Sequence, residues 1–139
     1  MSGLLHLQRV IDTRCIDPEA ESWLVEALVR WDRCGGDGAQ LLRMMNCPTT
    51  AAKRRQAVRD RWLCAASDQL GGIDINDRAR RLANAAERFE RRLWPLWRSA
   101  HVAPGHASAV DGCLFLARQA ASFPGTAKQM RNILMEVFS

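Results

Sequence analysis

The sequence predicts an all-α protein: a single-domain bundle, residues 1–139, of six or seven helices packed around a long central helix at about residues 74–94. Three observations carry that reading. Between Ile73 and Trp97 the apolar residues Ile75, Ala79, Leu82, Ala86, Phe89, Leu93 and Trp97 recur at steps of three and four, the period of a helix with one buried face. No segment alternates apolar and polar residues with β-branched enrichment, so no strand is expected. Helix-start and helix-stop residues bound each periodic segment. At 139 residues and 47% hydrophobic content, the chain is long enough to bury about two-thirds of its unfolded surface as one domain.

Taken in order, Ser2 caps a first helix that ends near Thr13, with Leu4, Leu7 or Leu5, and Val10/Ile11 on one face. Asp17-Pro18-Glu19 starts a second helix. Aspartate caps it, proline suits the first helical position, and acids favour the positive end of the dipole. That helix turns Trp23, Leu24, Ala27, Leu28 and Trp31 inward and stops at Gly35-Gly36. Asp37 caps a short helix from Gly38 to Met45, and Cys47-Pro48-Thr49-Thr50 is a break followed by a cap. The fourth helix, about Ala51–Leu70, is expected to bury Val58, Trp62, Ala65/Ala66 and Leu70 before Gly71-Gly72 closes it.

Asp74 caps the central helix, with Asp77 completing a partial capping box; Asp77–Arg81 and Glu87–Arg91 are i,i+4 pairs. Pro95 predicts a kink or end near Leu93. Residues 99–107, with Pro104-Gly105, form a loop. A further helix at about Ala109–Ser122 turns Val110, Cys113/Leu114, Ala117 and Ala121 inward. Phe123-Pro124-Gly125 is a turn. Thr126-Ala127-Lys128-Gln129 is a capping box for a last helix carrying Met130, Ile133, Leu134 and Val137.

Charge is uneven: residues 1–50 carry −2, residues 51–98 carry +6 and residues 99–139 carry +1, for a net +5. All basic residues but Lys53 and Lys128 are arginine, whose planar fork of donors suits phosphate and carboxylate. No apolar run approaches the ~18 residues of a membrane span, and the start lacks the basic and apolar regions of a secretory signal. Cys15, Cys34, Cys47, Cys64 and Cys113 are odd in number and scattered, which predicts reduced thiols in a cytoplasmic protein.

The basic residues point to function. Arg54, Arg55 and Arg59 lie on the fourth helix, while Arg78, Arg81, Arg88 and Arg92 form a line on the central one. A hairpin through Gly71-Gly72 that set both on one side would make a phosphate-binding face. The expected function is a small non-enzymatic protein that binds DNA or RNA through these seven arginines, alone or as a small subunit of a nucleoprotein complex. The alternative is an adaptor or inhibitor module that sets the same face against an acidic protein surface, or the Trp-rich helix ends against an apolar one. Leu116–Arg131 has the outline of a helix-turn-helix, with Lys128, Gln129, Arg131 and Asn132 near its second helix, but Pro124 occupies the turn and most helical hairpins bind no DNA. Trp94 and Trp97, beside Arg91, Arg92 and Arg98, are expected to anchor the helix end rather than stack on bases. His101, His106 and Cys113 fit no zinc spacing. Phosphate-loop, nucleophile-elbow and His-Glu-x-x-His motifs are lacking. The sequence therefore predicts no catalytic residues, metal, cofactor, small-molecule substrate or membrane partner.

Overall fold

The computed structural model describes the backbone of residues 2–35 and 37–138; the side chains of residues 2, 34, 39, 137 and 138 lie outside the described set. Among the described residues there are eight helices and no strand: α1 (Ser2–Thr13), α2 (Pro18–Cys34), α3 (Gly38–Met44), α4 (Ala51–Leu70), α5 (Ile75–Arg92), α6 (Trp94–Trp97), α7 (Ala109–Ala120) and α8 (Ala127–Phe138). The chain divides into two compact units, residues 1–54 and residues 55–139.

In residues 1–54, Asp17 Oδ1 accepts the Ala20 N–H at 2.8 Å with Pro18 at the first helical position, as the sequence predicts. That hydrogen bond, helped by the charge of Arg9, holds the Asp17 carboxyl below its ordinary pKa. Arg9 Nε also reaches Asp17 Oδ2 at 2.7 Å and so ties α1 to the start of α2. Gly3 is fixed by space: a Cβ there would lie 1.8 Å from the Met45 carbonyl oxygen. The Trp23 Nε1–H donates to that same carbonyl at 2.8 Å. Leu4, Ala20, Ala27 and Cys47 are buried apolar positions, with Leu7, Val10, Trp23, Leu24 and Trp31 half-buried. Of the alternatives the sequence offers on α1, Leu7 and Val10 are half-buried while Leu5 and Ile11 are exposed; on α2, Leu28, expected inward, is exposed. Gly35 closes α2 in the left-handed region; Gly36, expected to share that role, lies outside the described residues.

In residues 55–139 the core is built on α5. Ala79, Leu82, Ala86 and Phe89 are buried, followed by Trp97 on α6, with Ile75 and Leu93 half-buried. They pack with Leu63 and Ala66 of α4, Leu114, Phe115 and Ala117 of α7, and Met130, Ile133 and Leu134 of α8. The reciprocal caps form one residue earlier than a standard box. Asp74 Oδ1 accepts the Asp77 N–H at 2.8 Å, while Asp77 Oδ2 accepts from the Ile73 N–H at 3.1 Å. Likewise Thr126 Oγ1 accepts from Gln129 at 3.2 Å, and Gln129 Oε1 takes the Gly125 N–H at 2.8 Å.

Two further differences have physical causes. Pro95 ends α5 as predicted, but it then serves as an early residue of the short helix α6, the element that takes the number to eight. On α4 the buried residues are Leu63, Cys64, Ala66 and Ser67, while Val58, Trp62, Ala65 and Leu70 are only half-buried. Ala66 is buried as expected, but the rest of the inward face combines Leu63 with a thiol and a hydroxyl, which apolar spacing does not mark. On α7 the inward face also includes Phe115, fully buried beside Leu114. The Val137 side chain lies outside the described residues.

Candidate nucleic-acid interface

The net charge belongs to one unit. Residues 55–139 carry thirteen basic against eight acidic residues, whereas residues 1–54 carry seven of each. Within the charged unit, α5 runs unbroken from Ile75 to Arg92. At about 3.6 residues per turn, Arg78, Arg81, Arg88 and Arg92 fall within about 80° of arc on one flank of its buried stripe. Buried Ala85 sits in the middle of that flank.

Their partners differ. Arg78 Nη2 pairs with Asp68 Oδ1 at 2.6 Å and its Nε–H donates to Ser67 Oγ at 3.3 Å, leaving the side chain 23% exposed. Gly72 makes room for it: φ is +149° there, and a Cβ would stand 2.6 Å from Arg78 Cγ. Arg81 Nε pairs with Asp77 Oδ2 at 2.9 Å, while Arg80 takes the other oxygen of the same carboxylate. These hydrogen bonds, Arg80's foremost, hold the Asp77 carboxyl below its ordinary pKa. Arg88 and Arg92 are exposed, and among the described residues neither has an acidic partner.

On α4, Arg59 is 16% exposed. Its Nε–H donates to Asp60 Oδ1 at 2.8 Å and its Nη1–H to the Ser122 carbonyl at 2.9 Å, which ties α4 to the turn after α7. Burial nonetheless pushes the Asp60 carboxyl up against the pull of Arg59. Arg55 is exposed and unpaired among the described residues. Arg54 is exposed and belongs to residues 1–54, outside this unit.

Arg88 and Arg92 line a cavity of about 410 Å³. Its walls are apolar, from Leu70, Ala85, Phe89, Leu93 and Val110, and a third charged residue, Asp111, lines it from the first turn of α7. The Asp111 backbone N–H donates to the capping Ser108 Oγ at 3.1 Å, and its carboxylate makes no ion pair among the described residues. Sequence reasoning missed Asp111. The available signal was the pair Ser108 and Asp111, which marks a capped first turn with an acid on it.

The tryptophans are engaged in packing. Trp97 is buried edge-on against Phe89 and Phe115, with ring centres 5.9 and 6.4 Å away. Trp94 lies 6.1 Å from Phe115 and carries the Arg118 guanidinium 4.6 Å above its ring, which itself pairs with Glu90 at 2.9 Å. α8 and α7 each pack on α5, and Gln129, a candidate groove residue, spends its side chain on the cap. Among the described residues no group of three or more His, Cys, Asp and Glu is placed to hold a metal ion, and no helix is long and apolar enough to cross a membrane. Burial pushes the Cys64 thiol up to about 11 and also raises Cys47 and Cys113. The chain matches no family model, no characterised protein and no solved structure.

Proposed function

We propose that this is a small non-enzymatic helical protein that binds nucleic acid, DNA or RNA, through phosphate contacts on the arginine flank of α5, alone or as a small subunit of a nucleoprotein complex. One observation carries the reading: Arg88 and Arg92, one turn apart on the flank that also holds Arg78 and Arg81, stand exposed with no acidic partner among the described residues. An unpaired guanidinium presents its whole fork to a phosphate oxygen. Arg55 contributes in the same way. Arg81 gives only Nε to Asp77, so its remaining N–H groups stay available, whereas Arg59 and Arg78 are held by Asp60 and Asp68 and contribute less. With about four to six contacts, log K against log salt on duplex DNA should slope at roughly −4 to −5. A mobility-shift assay on DNA and RNA at about 50 mM salt, where backbone contacts are strongest, tests it. No shift on either polymer removes the reading.

A protein-binding adaptor or inhibitor is the second reading, and a different observation favours it. On α2, Val25, Leu28 and Val29 share one face and are 51%, 41% and 41% exposed, an apolar group of the kind that marks partner surfaces. Under this reading a partner survives nuclease treatment in a pull-down, and Val25→Asp with Val29→Asp releases it.

A further inference from the structure

The cavity beside Arg88 and Arg92 holds charges of both signs that do not pair with one another. Two guanidinia without an acidic partner among the described residues stand one turn apart on α5, a carboxylate likewise unpaired lines the same space from α7, and Leu70, Leu93 and Val110 supply apolar wall. Unlike charges lining one space unpaired call for a ligand that is anionic at one end, hydrogen-bond donating at the other and apolar in its body. The volume, about 410 Å³, falls in the usual range of small-ligand sites. The flank continues from the cavity through Arg81 to Arg78, which favours a ligand whose anionic groups repeat along a polymer.

We propose that this cavity receives a single nucleotide: its 5′-phosphate on Arg88 and Arg92, its base against Leu93 and Val110, and an exocyclic amine of the base on the Asp111 carboxylate. The nucleotide is either free or the 5′-terminal residue of a strand. This assignment rests on the phosphate-contact reading and adds an end, or mononucleotide, preference to it. Guanidinium pairs with phosphate fix the charged end. A flat base covers the apolar wall that a bare phosphate would leave wet. A carboxylate that accepts from an amine discriminates against a base offering a carbonyl there, because two acceptors would then face each other without a proton between them.

The test uses the full chain with adenosine 5′-monophosphate, inosine 5′-monophosphate and adenosine, followed by single strands bearing either a 5′-phosphate or a 5′-hydroxyl and a circular strand without ends. Adenosine monophosphate should bind about tenfold or more tighter than adenosine, as loss of charge-assisted hydrogen bonds implies, and also tighter than the inosine compound. Arg88→Ala and Arg92→Ala should each remove most of the phosphate advantage. Asp111→Asn, which keeps the shape, should erase the adenosine-over-inosine preference without weakening circular-strand binding, at the small cost in melting that losing a first-turn acid carries. A 5′-phosphate advantage on linear strands assigns the strand end; mononucleotide binding without that advantage assigns the free nucleotide. The proposal is overturned if circular and linear strands bind alike and a 5′-phosphate adds nothing to strand or nucleoside, an outcome that leaves the phosphate-contact reading standing. If no strand binds at all, that reading falls too.

Discussion

The two halves of α5 use the same residue on the same flank in different ways. In the first half, Arg78 and Arg81 are tied to the carboxylates of Asp68 and Asp77, and Arg80, on another side of the helix, shares Asp77. In the second half, Arg88 and Arg92 have none among the described residues and open on a cavity, while Arg91 pairs with Glu87 at 2.9 Å on another side of the helix. The cause is register. Asp77 stands three and four residues before Arg80 and Arg81, where helical side chains meet. The residues at the same offsets before Arg88 are Asn84 and Ala85, and those before Arg92 are Arg88 and Phe89. Counting charges therefore misjudges a basic helix; the placement of its acids decides which arginines hold the fold and which remain available.

The largest expected effect strikes both halves at once. Phe89 is buried beneath the flank against Trp97 and Phe123, and Phe89→Ala should cost about 3–5 kcal/mol, with Leu82→Ala at about 2–5 kcal/mol, in denaturant unfolding. Variants that unfold like the parent would mean the stripe is not the core. Next, Asp77→Asn should lower the melting temperature at neutral pH, since Asp77 holds Arg80 and Arg81 and caps the Ile73 N–H. Its carboxyl is depressed in the folded state, so the stability it contributes is present above the ordinary carboxylate range and lost as pH falls through the lowered value. The gap between parent and variant should thus close in acid; a gap constant down to about pH 2 would show the carboxylate charge is irrelevant. Smaller still, Arg78→Ala should lower stability modestly by freeing Asp68 and the buried Ser67 hydroxyl. Smallest of all, Arg88→Ala and Arg92→Ala should leave melting unchanged, because among the described residues neither holds an acid. A loss as large as that for Arg78 would place them with the structural arginines and dissolve the contrast between the halves.

Much of this was legible in the chain, and the illegible parts share a cause. The α5 stripe is read easily because its apolar residues are large and regularly spaced, and the caps at Asp17, Asp74 and Thr126 follow from short-range spacing. The inward face of α4 is not, since Cys64 and Ser67 become interior only through packing with other elements, the Arg78 side chain against Ser67 among them. Leu5 and Leu28 look as apolar as their buried neighbours, and only the packing within residues 1–54 leaves them exposed. The arginine line was visible as a line. The pairings of Arg78 with Asp68 and of Arg59 with the Ser122 carbonyl join separate elements, as does the approach of Asp111 to Arg88 and Arg92, and no local pattern encodes those.

The salt dependence of nucleic-acid binding by the parent and two double variants tests the central claim most directly. If Arg88 and Arg92 are the available phosphate contacts, Arg88→Ala with Arg92→Ala should flatten the slope of log K against log salt by about 1.8 on duplex DNA, at ~0.9 per contact, similarly on every sequence. Arg78→Ala with Arg81→Ala should flatten it less, because those two side chains are already shared with acids. A slope unmoved by losing Arg88 and Arg92, or moved more by losing the acid-paired arginines, would contradict the account.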